Sequence, residues 1–457
     1  MEALRKVMTT RLIKTIQVEN KEQLKIAKAL KINADRLLDT DIAIGFTEGD
    51  ISLKLDETVA GLISVDSNKV TITADSLENL LAVGTQGLLQ IYLDQLVEGE
   101  TVVTYAQKER ILMIDMGRKY FPKDVLLKFI DSMSLAQFNY LQLHFSENEG
   151  FRIESEVAPE IVSDDYLTKN EIREVIQYAN HLGIEIIPDF DTPGHLKQLL
   201  KDKPEWQLRK KNADGQLENY PSALNIVNPE AVLFIESLYK EYAELFYGST
   251  YFHIGGDEFV DFDEIDAYPD LKEAAVALFG EQATAMDYFV HYVNQIAEKI
   301  SSWGFVPRVW NDGFYRLNRK EIVTLSDKVE ITYWTKWHQQ MAPVETFINK
   351  GYQVINFNDN YFYYVLGEAA GYTYPTFEKI MTDWNPLMYP QSQKVEKITN
   401  QLPGVALAVW SDIPDAQEAE VVFEKVSPLL FAISQKENDT KIDLQDTLSI
   451  IERIHNN

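Results

Sequence analysis

From Lys108 onward the hydrophobic pattern switches repeatedly between strand-length apolar runs and helical repeats. The runs fall at 111–114, 140–145, 184–188, 251–255, 306–310, 331–334, 353–357 and 405–410. Between most of them lie stretches with apolar residues at helical spacing, such as "PKDVLLKFIDSMSLAQ", "TKNEIREVIQYANHLG", "PEAVLFIESLYKEYAELF" and "ATAMDYFVHYVNQIAEKISSW". Strands that alternate with helices feed a parallel sheet, and eight such units predict a closed (β/α)8 TIM barrel. "EKVSPLLFAIS" completes the helical ring, and "LQDTLSIIERI" predicts a short terminal helix.

Residues 1–105 follow another plan and read as a small α/β (α+β) N-terminal domain in front of the barrel of 106–457. "RLIKTIQVE" and "DIAIGFTE" have strand character, "LISVDSNKVTITA" predicts a hairpin turning at 66–69, and "SLENLLAVGTQGLLQIYLDQL" predicts a helix with Ser76 as its N-cap. No reactive constellation stands out in this part.

Composition narrows the class. A length of 457 residues, 45% apolar and 25% charged, describes a globular chain with a large core. The absence of cysteine removes disulfide and thiolate chemistry and favours a reducing compartment. The opening "MEALRKVMTTRLIKTIQVENKEQL" has charges every few residues and no apolar leader core, and no run approaches the roughly 20 apolar residues that span a bilayer. A cytoplasmic location is therefore expected. A net charge of −28 repels phosphates and anionic lipid, so neither nucleic acid nor membrane is an expected partner.

In a barrel of this kind the reactive groups collect where the strands end, on the C-terminal face. The strand exits here carry Asp115 and Arg118, then His144 and Glu147, then Asp189, Asp191 and His195, then Asp257 and Glu258. Trp310, Trp334 and Trp410 close three further strands, Asp412 follows the last, and Tyr361 and Tyr363 lie beyond the seventh. Several tryptophans on one rim suit a ligand with flat apolar faces, as sugar rings have, while carboxylates, Arg and His reach its hydroxyls. In "YFHIGGDEFVDF" two carboxylates stand side by side at the end of a core strand, where each raises the other's cost of ionisation.

The ordered segments "RILMIDMGRKYFP", "LAQFNYLQLHFSENEGFRIES", "IIPDFDTPGH" and "FHIGGDE" resemble the family 20 glycoside hydrolases, the β-N-acetylhexosaminidases. The resemblance implies an enzyme that removes terminal N-acetylhexosamine from oligosaccharides or glycoconjugates, without cofactor or metal. It implies that the sugar's own 2-acetamido group attacks the anomeric carbon. Asp257 would then hold the acetamide N–H and Glu258 would be the general acid and base. It further implies that Arg110 binds the 3- and 4-hydroxyls, that Glu147 and His195 form a relay to Glu258, that Trp310, Trp334 and Trp410 box the sugar, and that Tyr361 donates to the acetamide carbonyl. The neighbouring Asp257 keeps Glu258 protonated, and the two preceding glycines permit the backbone to leave the strand's alternation. Asp191 is expected to orient its own loop, and Asp115 with Arg118 to form an ion pair at the rim.

The chain departs from the family pattern at Glu147, where Asp is usual, at Asp189 and Asp412, which stand at Asp-for-Glu exchanges, and at Tyr363, where Asp or Asn follows the pocket tyrosine by two. Two other readings compete: a metal-dependent barrel hydrolase built on His144, His195 and His253, and a silent sugar-binding barrel. The first lacks a His-x-His or His-Glu-x-x-His pair, and the second is expected to lose the Asp-Glu pair that is present here. The N-terminal domain offers surface for a homodimer.

Overall fold

The computed structural model describes residues 13–67 and 69–455. All eight apolar runs form barrel strands: β1 (Glu109–Asp115), β2 (Tyr140–His144), β3 (Glu185–Thr192), β4 (Tyr251–Gly255), β5 (Val306–Trp310), β6 (Glu330–Tyr333), β7 (Val354–Asn356) and β8 (Gly404–Trp410). Neighbours pair in parallel, and the ring closes through Asn356 against Val405 and through Ala406 against Ile111. A short further strand, Tyr363–Val365, pairs with the exit of β8, with Tyr363 beside Ala408 and Val365 beside Trp410.

Alternate strand residues face opposite sides of the barrel wall. Ile111, Met113, Ile355, Phe357, Ala406 and Ala408 point inward and form a closed interior cluster, roofed by Trp310, Tyr363 and Val365. Leu112, Ile114, Leu141 and Leu143 point outward beneath the helices and join the larger core. Those helices start where local chemistry says they should. Thr168 with Glu171 and Thr284 with Asp287 form capping boxes for Lys169–His181 and Ala285–Ser302, and Asn228 caps Pro229–Leu245.

The strand entries carry structural charge. The Arg308 guanidinium, fully buried, bonds Glu109 at 2.7 Å and Glu330 at 2.8 Å and lies 3.4 Å over the Tyr251 ring. Arg110 belongs to this end too. It starts β1, five residues before Asp115 and so about 16 Å from the exit at roughly 3.3 Å per residue. Its Nε donates to Gln137 O at 2.6 Å and its Nη1 to Gln107 O at 2.9 Å, and Tyr105 stacks on it at 4.3 Å. The assignment of Arg110 to the sugar's hydroxyls is therefore corrected: it is buried at the opposite end of the barrel.

The N-terminal part has a six-stranded sheet in the order Ala43–Gly45, Thr15–Gln17, Ile51–Leu55, Lys69–Ala74, Leu62–Asp66, Gly99–Val102. Ser76 caps the helix Leu77–Tyr92 through Asn79 N, as expected from the sequence. A second helix, Gln23–Leu38, was not anticipated; it meets the barrel through Asn33 to Ser134 at 2.8 Å and Arg36 to Asp131 at 2.5 Å. Residues 1–12 of the segment read for a leader, and position 68 of the hairpin turn, lie outside the described residues. Among the described residues no helix is long and apolar enough to cross a membrane.

Candidate active site

β4 ends on Gly255 and Gly256 follows it, with φ of 75° and 91°. The requirement at Gly255 is steric as well as conformational, because a Cβ there would lie 1.5 Å from Asp191 Oδ1. Gly255→Ala is expected to cost at least about 3 kcal/mol, from strain plus overpacking against a buried carboxyl, read as a lowered midpoint in denaturant. This backbone breaks the extended alternation, so the next two residues, Asp257 and Glu258, both line one cavity of about 540 Å³ at the barrel mouth. Glu258 itself sits at φ 41°, an uncommon conformation of the kind held at functional positions.

The pair is unequal in environment. Asp257 is 8% exposed, and its Oδ1 is buried with no hydrogen-bond partner among the described residues. The Glu258 side chain keeps 54% of its area open, facing the cavity. The surrounding walls desolvate it only in part. That desolvation pushes its carboxyl up, His195 opposes the rise, and the Asp257 charge adds to it.

Behind the pair lies a buried proton network. Burial alone works upward on Glu147, but the charge and hydrogen bond of His195, 2.7 Å away, and Arg118 outweigh it and bring the carboxyl down to about 2. Conversely, burial works against protonated His195, yet Glu147 and Asp257 raise it well above its ordinary value. His195 Nε2 stands 3.6 Å from Asp257 Oδ2 and 3.7 Å from Glu258 Oε2, between the two reactive acids. Of the relay expected from the sequence, the Glu147–His195 arm is present at 2.7 Å, whereas His195 and Glu258, 3.7 Å apart, are not hydrogen-bonded. Asp191 lies buried beside Asp257, and burial together with the Asp257 charge lifts its carboxyl well above the usual range.

Trp310, Trp334 and Trp410 form walls of the cavity, as expected, and Asp412 lies on its rim. Trp334 stacks parallel on Tyr363 at 5.9 Å, and Trp410 meets both Tyr363 and Trp310 at 5.9 Å. The tyrosine of this wall is Tyr363, not Tyr361. Tyr361 belongs to the helical turn Asp359–Phe362 and turns to Lys379, whose Nζ is 5.3 Å from its ring, so its expected role is corrected. With Tyr363 as the pocket tyrosine, the position two residues on is Val365, and the cavity is apolar there.

Arg118 lines the cavity where Arg110 had been expected. Asp115 at 2.9 Å and Glu147 at 2.5 Å hold its guanidinium, and Glu149 approaches at 3.5 Å. The rim ion pair with Asp115 is present, but the same guanidinium faces the ligand space beside Asp412. Sequence reasoning also missed Asp312, two residues past β5. Its Oδ2 accepts from Glu258 N and its Oδ1 from Trp334 Nε1, both at 3.0 Å, so one carboxyl fixes the Glu258 backbone and the indole wall. Burial first, and the Asp257 charge second, push it up to about 7. The signal for both residues was their place just beyond a strand exit.

The three histidines of the metal reading are not brought together. His144 and His253 turn onto Asp189, at 3.1 and 3.4 Å, beneath the cavity floor. A different trio, Asp191, His195 and Asp257, presents one ligand atom each within 4.8 Å of one another. Burial lifts Asp191, and Glu147 and Asp257 lift His195, so that protons compete with a cation at this trio.

A Lacto-N-biosidase of Bifidobacterium bifidum is 27% identical over 421 residues, 90% of this chain and 36% of the relative. A Beta-hexosaminidase subunit A1 of Dictyostelium discoideum is 25% identical over 70% of this chain and 55% of the relative. The chain thus spans between about a third and just over half of these relatives' length. The fold matches an exo β-N-acetylglucosaminidase of Vibrio harveyi, solved with N-acetylglucosamine, at a TM-score of 0.73 and 19% identity, covering 96% of this chain and 72% of the other. The model of the glycosyl hydrolase family 20 catalytic domain matches residues 108–435, and the chain belongs to that family.

Proposed function

We propose that the protein is an exo-acting, retaining β-N-acetylhexosaminidase that cleaves terminal non-reducing β-linked N-acetylglucosamine or N-acetylgalactosamine through an oxazolinium intermediate. The observation that carries this reading is the adjacent pair, with Asp257 buried and offering a free acceptor and Glu258 raised and open to the cavity. Family 20 is a recognised exception to the scheme of two opposed carboxylates, because the substrate's acetamide supplies the nucleophile. Asp257 accepts the acetamide N–H and balances the positive charge as the carbonyl oxygen bonds to C1. Glu258 gives its proton to the departing glycosidic oxygen, then takes one from the water that opens the ring. Tyr363 is placed in the wall to donate to the acetamide carbonyl, and the Arg118 fork suits a vicinal diol at the sugar's outer edge.

A second reading, release of a disaccharide, draws on the cavity's apolar flank at Val365 and the likeness to a Lacto-N-biosidase over 90% of the chain. The test is release of p-nitrophenol from the β-N-acetylglucosaminide and β-N-acetylgalactosaminide, with the mass of the product from a longer oligosaccharide separating the two readings. Failure to cleave either aryl glycoside, together with failure on the oligosaccharide, overturns both.

A further inference from the structure

A second cavity, of about 370 Å³, shares Glu258 and Trp337 with the first. The two meet at Glu258 and extend from it onto partly different loops. Arg118, Tyr363, Val365 and Asp412 of the first cavity follow β1, β7 and β8. The second is built by the loops after β3 to β6: Tyr220 on the hairpin strand Leu217–Leu224, Asp261 and Asp263 after β4, Arg316 after β5, and Trp337 with His338 after β6. The glycosidic oxygen that receives the Glu258 proton must lie within hydrogen-bond reach of that carboxyl, with the ring of the attacked sugar on one side and the departing group on the other. With the attacked sugar among Trp310, Trp334 and Trp410, the departing group falls into the second cavity.

Resting on the proposed function, we infer that this second cavity binds the leaving group, and that it selects a neutral saccharide over an anionic one. Two observations set the chemistry. Trp337 is 62% exposed and, with the half-buried Tyr220 ring, offers flat faces for the C–H side of a sugar. With Glu258 and Asp312 both pushed upward, the polar lining keeps Asp261 and Asp263 against the single guanidinium of Arg316, with the His338 ring beside them. Arg316 is already committed to Asp263 at 2.6 Å, and the His338 ring lies 3.2 Å from Asp263 and 3.4 Å from Arg316. The lining therefore presents acceptors for hydroxyls and no free cation for a carboxylate or sulfate, and placing an anion there sets like charges together.

The test compares kcat/KM for an N-acetylhexosamine β-linked to a neutral hexose, for the same sugar linked to a hexuronic acid, and for the glycosyl fluoride, whose leaving atom fills no cavity. The wild-type enzyme is expected to prefer the hexoside over the uronide by about tenfold or more. Tyr220→Ala and His338→Ala are each expected to lower the hexoside-to-fluoride ratio by about tenfold. Because the ratio is taken within one preparation, partial unfolding cancels. An active enzyme whose ratio is unchanged in both variants, or which cleaves the uronide as well as the hexoside, overturns the cavity's role alone. Inactivity of the wild type on the fluoride and hexoside removes the functional reading, and this inference with it.

Discussion

Glu258→Gln is expected to reduce kcat/KM on alkyl and saccharide β-N-acetylhexosaminides by about a thousandfold, within the usual contribution of a positioned general acid. The loss should shrink sharply with a leaving group that departs unprotonated, such as a dinitrophenolate, because only the protonation of the departing oxygen has been removed. The pH profile gives a second check. The Glu258 carboxyl is pushed above the ordinary carboxylate range by desolvation and by Asp257, against His195. Its acid form is therefore present below that raised value and lost as pH rises through it, so wild-type kcat/KM should fall on the alkaline side. Glu258→Gln has no proton to lose there, and its alkaline limb should vanish. Equal losses for good and poor leaving groups would remove Glu258 from the acid role.

The barrel was legible in the sequence because its two periods differ. A buried strand and an amphipathic helix leave different marks, and all eight runs from 111–114 to 405–410 became strands of one ring. The site was legible as far as strand exits place it, which covers Glu147, His195, Asp257, Glu258, the three tryptophans and Asp412. The two errors share a cause. Arg110 lies in the first residues of β1 and Arg118 beyond its exit, and only the strand's direction says which end meets the cavity; the Arg110 guanidinium is buried at the entry. Tyr361 and Tyr363 are two apart, which in a continuous strand would put them on one face, but Tyr361 sits in a helical turn that ends before the strand Tyr363–Val365 begins. Trp337 and Tyr372 stand in long loops without periodicity, so no pattern placed them in the cavity wall. Asp312 carries the exit signature, yet its function depends on two partners distant in sequence, Glu258 and Trp334.

Replacing the substrate's 2-acetamido group by hydroxyl is expected to cost roughly 10⁴-fold or more in kcat/KM, because an internal nucleophile held at bonding distance is lost and the cavity must recruit one from solution. Asp257→Asn should cost about a thousandfold on the 2-acetamido substrate, through loss of the charge that balances the forming oxazolinium ion. The two changes address one interaction. Their effects should therefore not add: on the 2-hydroxy substrate Asp257→Asn has no oxazolinium ion to stabilise and should change the residual rate little. On the proposed reading an acetamide N–H satisfies the buried acceptor Asp257 Oδ1; a 2-hydroxyl can also donate to it but develops no comparable positive charge. A full thousandfold loss on both substrates would mean that Asp257 serves the barrel's structure, through its contact with Asp191 and His195, rather than the acetamide. A 2-hydroxy glycoside cleaved as fast as its 2-acetamido counterpart would show that the nucleophile comes from the protein or from water.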